Sequence, residues 1–211
     1  PADGDDTYNY KQILYLEGDA YDRGFAEGYL CPDAVKRMTH DFVYNYVRGL
    51  LGLPLDDIPE SIIEIARQIL INAARSQEYA VPPEFVEEMK GMAAGAKVDF
   101  RDIFFLNITY ELAVPSVMGC TSYAIAPEAT ADGEIIAGQN FDYVSVWQDS
   151  MVLLKMRPSG GPAMMAFAPV GCLGLIGFNS AGISLNLNLV RNKSSLSPVG
   201  GVPSHIILGK V

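Results

Sequence analysis

The chain has 211 residues, of which 49% are hydrophobic and 19% are charged. This length suits one or two domains and is sufficient to bury a substantial core. A formal net charge of −10 argues against binding to nucleic acid or anionic lipid, because their phosphates attract a Lys/Arg surface. No apolar run approaches the roughly 20 residues that a membrane span needs. We therefore expect a soluble protein, either cytoplasmic or secreted after removal of a signal.

Residues 1–118 predict a mainly helical region. A short strand at Gln12–Leu16 leads through the turn Gly18–Gly24 into a first helix. Apolar residues then recur at helical spacing, at Ile62, Ala66, Ile69, Leu70 and Ala73. Pro82-Pro83 breaks the chain before a helix over Glu84–Ala94, whose acidic start suits the positive end of the helix dipole. A further helix is predicted over Asp102–Leu112.

From Cys120 onward the pattern changes to alternating, strand-like segments separated by turn residues. These segments are Thr121–Ala126, Glu134–Asn140, Met151–Arg157, Met164–Ala168, Leu173–Phe178 and Ile183–Leu189. They predict an antiparallel sheet of about six strands, followed by a helix that begins at Ser204. Helices followed by a sheet indicate the α+β class.

Cysteine and histidine are scarce in this chain. Three cysteines, Cys31, Cys120 and Cys172, are too few for a disulfide scaffold, and the odd number leaves at least one thiol free. There is no CxxC pair, and the two histidines, His40 and His205, lie far apart in the sequence. A structural zinc site is therefore not expected. Cys172 lies in an apolar run and is expected to pack in the core.

Gly119 and Cys120 can be interpreted as a cleavage site joined to a nucleophile. The Cys120 thiol could attack the preceding carbonyl, break the 119–120 bond and become a new N-terminal residue. Its α-amine, with an ordinary pKa of about 7.7–8.0, could then act as the general base for its own thiol. Asp142 follows the second predicted strand, whose end returns to Cys120 in a hairpin, so its carboxylate could hold that amine. The alternatives are a buried structural cysteine and an aspartate that caps a turn.

Two further groups could complete such a site. Asn186 and Asn188 alternate with leucines and share one strand face, where amide donors could stabilise an oxyanion. Their alternative role is a solvent-facing polar stripe. Tyr143, Trp147 and Phe167 could line a pocket for an acyl chain, although such residues are more often ordinary core.

Four ordered motifs carry a resemblance to a known family. They are Cys120–Tyr123, the Gly-Gln-Asn-Phe-Asp run at 138–142, the Gly-Phe-Asn-Ser-Ala-Gly turn at 177–182 and Gly-Val-Pro-Ser-His at 201–205. Together they resemble the acyl-coenzyme A:6-aminopenicillanic acid acyltransferase family. These are cysteine N-terminal-nucleophile hydrolases, related to choloylglycine hydrolases and penicillin V acylases.

The resemblance implies an αββα sandwich of antiparallel sheets and synthesis as an inactive precursor, a zymogen, that cleaves itself between Gly119 and Cys120. Residues 1–119 would be the mainly helical pro-segment, and residues 120–211 the start of the nucleophile-bearing sheet region of one domain. The two fragments would stay associated. Cys120 takes the nucleophile position and Asp142 that of the partner aspartate, with Asn186 or Asn188 near the oxyanion.

Two departures from the family pattern are visible. Gln139 stands where choloylglycine hydrolases usually have arginine, which favours the acyltransferase branch. Family members also run well beyond residue 211, where another asparagine and an arginine are expected to complete the site. We therefore expect this chain to be the front portion of a longer protein.

The resulting hypothesis is an amidohydrolase or acyltransferase that acts on a small N-acyl compound through a Cys120 thioester. It needs no metal or organic cofactor, has acyl-coenzyme A as a candidate acyl donor, and is compatible with a homo-oligomer. One rival is a Cys–His hydrolase that uses Cys120 or Cys172 with His205 and is not cleaved. The other is an uncleaved, degenerate member of the family that acts as a binding module.

Overall fold

A computed structural model describes residues 12–45, 58–75, 77–112, 119–142, 145–188 and 202–208. Within these residues most helices precede the main group of strands, which confirms the predicted α+β class. The helices are α1 (Ala20–Leu30), α2 (Pro32–Arg37, continued by a π-helical turn at Met38–Phe42), α3 (Glu60–Arg75), α4 (Pro83–Ala96), α5 (Phe100–Leu112) and α6 (Ser204–Leu208). The strands are β1 (Ile13–Gly18), β2 (Cys120–Ile125), β3 (Ile136–Phe141), β4 (Met151–Pro158), β5 (Met164–Pro169), β6 (Ile176–Asn179) and β7 (Ser184–Leu185).

The strands form two sheets rather than the single antiparallel sheet that the sequence predicted. Among the described residues, a five-stranded sheet has the order β1-β4-β5-β6-β7, and β2 pairs with β3 in a separate hairpin. β1 runs parallel to β4, with Ile13 opposite Leu153, whereas the other pairs are antiparallel. A parallel pair needs a long crossover connection. The connection from β1 to β4 contains helices α1–α5 and the β2–β3 hairpin.

One face of the five-stranded sheet and the helices share a hydrophobic core. Leu14 and Leu16 of β1 point the same way as their partners in β4, Leu154 and Met156, and all four are buried. Met89 of α4 and Phe104 of α5 belong to the same cluster of buried side chains. The helix predicted around Ile62 is present as α3, although its most buried residues are not the ones whose spacing predicted it.

The buried residues of α3 are Ile63, Ile71 and Ala74, whereas Ile62 and Ile69 are exposed. Isoleucines occur on more than one side of this helix, so their spacing predicts the helix but does not identify the side that packs.

Helices α1 and α4 contact each other backbone to backbone through glycines. A Cβ added at Gly24 would lie 1.9 Å from the Glu88 carbonyl oxygen, and one at Gly91 would lie 2.2 Å from the Tyr21 carbonyl oxygen. Side chains larger than hydrogen therefore cannot occupy these positions without moving a helix. The close approach also brings Arg23 against Glu88 in a partly buried ion pair of 2.7 Å.

A buried polar clamp holds the turn between β5 and β6. Gly171 has a φ of +87°, a conformation that favours glycine. Its N–H donates to Glu27 Oε1 at 2.8 Å, and its carbonyl accepts from Asn107 Nδ2 at 2.7 Å. The Leu173 N–H donates to Asn107 Oδ1 at 2.9 Å. Side chains from α1 and α5 thus fix the turn that carries Cys172.

Glu27 makes the stability of this clamp depend on pH. Burial raises the pKa of the Glu27 carboxyl to about 8; the Gly171 N–H opposes this shift, and the charge of Glu88 adds to it. Because the pKa is higher in the folded than in the unfolded state, stability falls as pH rises from about 4.5 to about 8. We expect Glu27→Gln to reduce that slope by up to about 1.4 kcal/mol per pH unit.

The measurement is urea denaturation at several pH values between 5 and 8. Glu134→Gln, on the exposed hairpin loop, is the matched control and should follow the parent. The free energy of unfolding could instead change with pH equally in Glu27→Gln and in the parent. That result would show that Glu27 does not titrate as its burial requires.

Candidate functional site

The β2–β3 hairpin places Cys120 at its open end. Cys120 is the first residue of β2 and lies opposite Phe141, the last residue of β3. The loop between the strands contains the predicted turn at Asp132, whose Oδ1 accepts the Glu134 N–H at 3.2 Å. The predicted hairpin is therefore present, with Cys120 close to the end of β3.

Asp142 lies directly beside Gly119. The Asp142 N–H donates to the Gly119 carbonyl oxygen at 3.0 Å, which extends the ladder by one bond past Cys120. A Cβ added at Gly119 would lie 3.4 Å from Asp142 Oδ2, so the carboxylate also approaches this residue. The peptide bond between Gly119 and Cys120 thus has a backbone donor on its carbonyl side and a carboxylate nearby.

The Cys120 side chain shares one face of the hairpin with three others. Directly opposed residues of an antiparallel pair lie on the same face, and residues two apart along a strand do so as well. The register pairs Cys120 with Phe141 and Ser122 with Gln139. These four residues therefore define what we call the Cys120 face.

Residues 186–188 lie over the Cys120 face. The Leu187 N–H donates to Gln139 Oε1 at 2.8 Å, and Gln139 Nε2 donates back to the Leu187 carbonyl. Asn188 Nδ2 donates to Ser122 Oγ. Strand β7 ends at Leu185, so the predicted strand over Ile183–Leu189 is shorter, and both asparagines follow it in irregular backbone.

The two described members of the predicted pocket, Trp147 and Phe167, lie in different parts of the fold. Trp147 stacks on Phe141, with ring centroids 6.1 Å apart, but it is only 2% exposed and belongs to the core. Phe167 lies in β5 of the other sheet, opposite Ile176 of β6. Tyr143 lies outside the described residues. Of the three, Trp147 is thus linked to the Cys120 face, through Phe141.

The three thiols differ in their surroundings. Cys120 is half-buried, whereas Cys31 and Cys172 are buried. Burial raises the pKa of the Cys172 thiol well above its ordinary value, and the charge of Glu27 raises it further. Burial likewise raises the pKa of Cys31. A thiol must ionise to act as a nucleophile, so Cys172 is unsuited to that role and packs in the core as predicted. The side chain of His205 lies outside the described residues.

The chain is similar in sequence to several known proteins. An uncharacterised protein of Archaeoglobus fulgidus is 30% identical over 93% of this chain and 36% of its own length. The acyl-coenzyme A:6-aminopenicillanic-acid-acyltransferase 40 kDa form of Emericella nidulans is 32% identical over 60% of this chain and 34% of its own length. Protein dcd1A of Dictyostelium discoideum is 23% identical over 96% of this chain. No model of a known protein family matches.

The chain therefore spans about a third of the length of the first two relatives. The similarity to the Emericella acyltransferase agrees with a relationship to that enzyme, which the sequence motifs predicted.

The part of the chain that the structure describes contains neither a cluster of metal-ligating side chains nor a helix that could cross a membrane. No three side chains among His, Cys, Asp and Glu lie close enough together there to hold a metal ion. None of the helices described is both long enough and apolar enough to cross a membrane.

Sequence reasoning did not assign a role to Ser122 and Gln139. Both belong to the motifs on which the resemblance depends, where Gln139 stands out only as a departure from the arginine of choloylglycine hydrolases. The register of the hairpin places both on the Cys120 face. Alternation from Cys120 to Ser122 could have suggested this shared face, but the contact between Gln139 and Leu187 joins residues 48 positions apart.

Proposed function

We propose that this chain forms the nucleophile-bearing part of a self-processing cysteine amidohydrolase or acyltransferase that acts on a small N-acyl compound. The observation that carries the proposal is the arrangement at the open end of the hairpin. There Gly119 receives a backbone hydrogen bond from Asp142 and has the Asp142 carboxylate beside it. The next residue is the half-buried thiol of Cys120.

This arrangement suits cleavage of the chain. The Cys120 sulfur attacks the Gly119 carbonyl carbon, and the Asp142 N–H is placed to donate to the oxygen as it becomes negative. The bond from that carbon to the Cys120 nitrogen breaks as the thiol proton passes to that nitrogen, which transfers the Gly119 acyl group to sulfur and leaves a free amine on Cys120. Water then hydrolyses the thioester, giving a carboxylate on Gly119 and regenerating the thiol.

The same groups suit catalysis after cleavage. The new α-amine takes the thiol proton while the sulfur attacks the acyl carbonyl of the substrate. The C–N bond breaks, the amine leaves with that proton, and a thioester remains on Cys120. Water or a second amine then attacks the thioester, and the thiol leaves with the proton. Asp142 would orient the α-amine, and Asn186 or Asn188 would stabilise the oxyanion; Asn188 is the better placed, since it already contacts Ser122 on the Cys120 face.

The type of substrate is inferred from sequence relationship. The Emericella relative is named as an acyltransferase for 6-aminopenicillanic acid with acyl-coenzyme A. Phe141, which stacks on the buried ring of Trp147, is an apolar neighbour for an acyl chain on the Cys120 face. Acyl-coenzyme A is therefore a candidate donor, and a small amine a candidate acceptor.

Intact-mass spectrometry and N-terminal sequencing of the purified full-length protein test the proposal. We expect two fragments that separate under denaturing conditions, the second beginning with Cys120. A single uncut chain after prolonged incubation would remove the mechanism and favour the binding-module alternative.

A further inference from the structure

Gln139 joins the Cys120 hairpin to the chain segment that carries Asn186 and Asn188. Its carboxamide forms two hydrogen bonds with one residue, accepting from the Leu187 N–H at 2.8 Å and donating to the Leu187 carbonyl. This is the pair of bonds that an opposing residue supplies in an antiparallel ladder. The side chain of Gln139 therefore takes the place of a neighbouring strand.

The position of this contact relates it to the nucleophile. Gln139 lies opposite Ser122, one pair along the same face from Cys120 and Phe141. Leu187 is flanked by the two asparagines, of which Asn188 donates to Ser122. The carboxamide of Asn186 makes no hydrogen bond within the described residues. Because Leu187 lies between them, holding its backbone in place also limits the positions that the Asn186 and Asn188 side chains can occupy relative to Cys120.

We propose that Gln139 is a positioning residue, which holds residues 186–188 over the Cys120 face so that an asparagine amide meets the oxyanion during acyl transfer. This inference rests on the function proposed above. Loss of the contact would leave the thiol and the hairpin in place. It would allow the segment to move, and oxyanion donors act only when they are held in place.

The test uses the full-length protein with 4-nitrophenyl octanoate as an acyl probe, followed through release of 4-nitrophenol. We expect Gln139→Ala to lower kcat about 10- to 100-fold, less than the loss of an entire oxyanion donor, with a change in KM below about threefold. Alkylation of Cys120 by iodoacetamide forms no oxyanion, so its rate should match that of the parent. Thr121→Ala, on the opposite and exposed side of the hairpin, is the control for both reactions.

Gln139→Glu separates positioning from general loss of structure. An ionised glutamate can accept from the Leu187 N–H but cannot donate to its carbonyl, whereas a protonated one can do both. The ratio of kcat in Gln139→Glu to that in the parent should therefore rise as pH falls from 8 to 5. In Gln139→Ala the corresponding ratio should stay low throughout.

Three results would overturn the inference. The first is unchanged kcat in Gln139→Ala while the parent reacts, which leaves the proposed function intact. The second is a pH-independent ratio for Gln139→Glu. The third is slowed alkylation in step with slowed acylation, which would indicate a purely structural role. A parent that neither cleaves itself nor reacts with the ester would instead remove the proposed function, and this inference with it.

Discussion

Replacement of Cys120 with alanine is expected to leave the full-length chain uncut and to abolish acyl transfer. Cleavage and turnover would both use the same sulfur, so the loss should be at least about 10⁴-fold, as for removal of other covalent nucleophiles. Intact mass reports the cleavage, and a mass increase after reaction with 4-nitrophenyl octanoate reports the acyl-enzyme. Both signals should be absent from Cys120→Ala.

Cys172→Ala is the matched control. It also removes one thiol, but from a buried side chain that is only 4% exposed. We expect normal cleavage and acylation, with a modest loss of stability from the small cavity. A Cys120→Ala protein that still becomes acylated would contradict the assignment of the nucleophile. An uncut parent whose activity depends on Cys120 and His205 would favour the Cys–His hydrolase.

Replacement of Gly24 with alanine should destabilise the protein by about 2–4 kcal/mol, in the range for severe overpacking. The added methyl group would lie 1.9 Å from the Glu88 carbonyl oxygen, and the neighbouring Glu88 carbonyl carbon and Met92 nitrogen lie within 3.0 Å. These are backbone atoms of a packed helix, so they cannot rotate away. Helix propensity alone predicts the opposite sign, since alanine stabilises a helix by about 1 kcal/mol relative to glycine.

Urea denaturation of the Gly24→Ala protein decides between these two effects. Gly161→Ala is the control, because the described atoms within 4 Å of a Cβ there are two carbon atoms of Pro158, at 3.6 Å or more. It should change the free energy of unfolding by no more than about 0.5 kcal/mol. Unchanged or increased stability in Gly24→Ala would show that α1 and α4 are not packed backbone to backbone.

The sequence predicted most elements of the fold and less of their arrangement. Helix α4 begins at Pro83 as the Pro-Pro break indicated, and the β2–β3 hairpin forms across the predicted turn. These features depend on local chemistry. The parallel pairing of β1 with β4 joins Ile13 to Leu153; alternation along either strand predicts a sheet face but does not identify the partner strand.

The candidate site shows the same division. Placing Asp142 near Cys120 required only a hairpin, which local pattern supplies. The contact of Gln139 with Leu187 depends on where a segment 48 residues away comes to lie, and no spacing in the sequence encodes that. The hydrogen bond between Glu27 and Gly171 in the polar clamp joins residues 144 positions apart, and the sequence does not predict it either.

The parallel pairing of β1 with β4 has a consequence for a molecule cut between Gly119 and Cys120. β1 precedes that bond and β4 follows it, so their hydrogen bonds would join two separate chains. The clamp would do so as well, since Glu27 and Gly171 also lie on opposite sides. Folding of the uncut precursor is a first-order process, whereas recovery of the cut form after unfolding would need an encounter between two molecules. The precursor would therefore fold at a rate that does not depend on protein concentration. The mature protein, once unfolded, would refold at a rate that does.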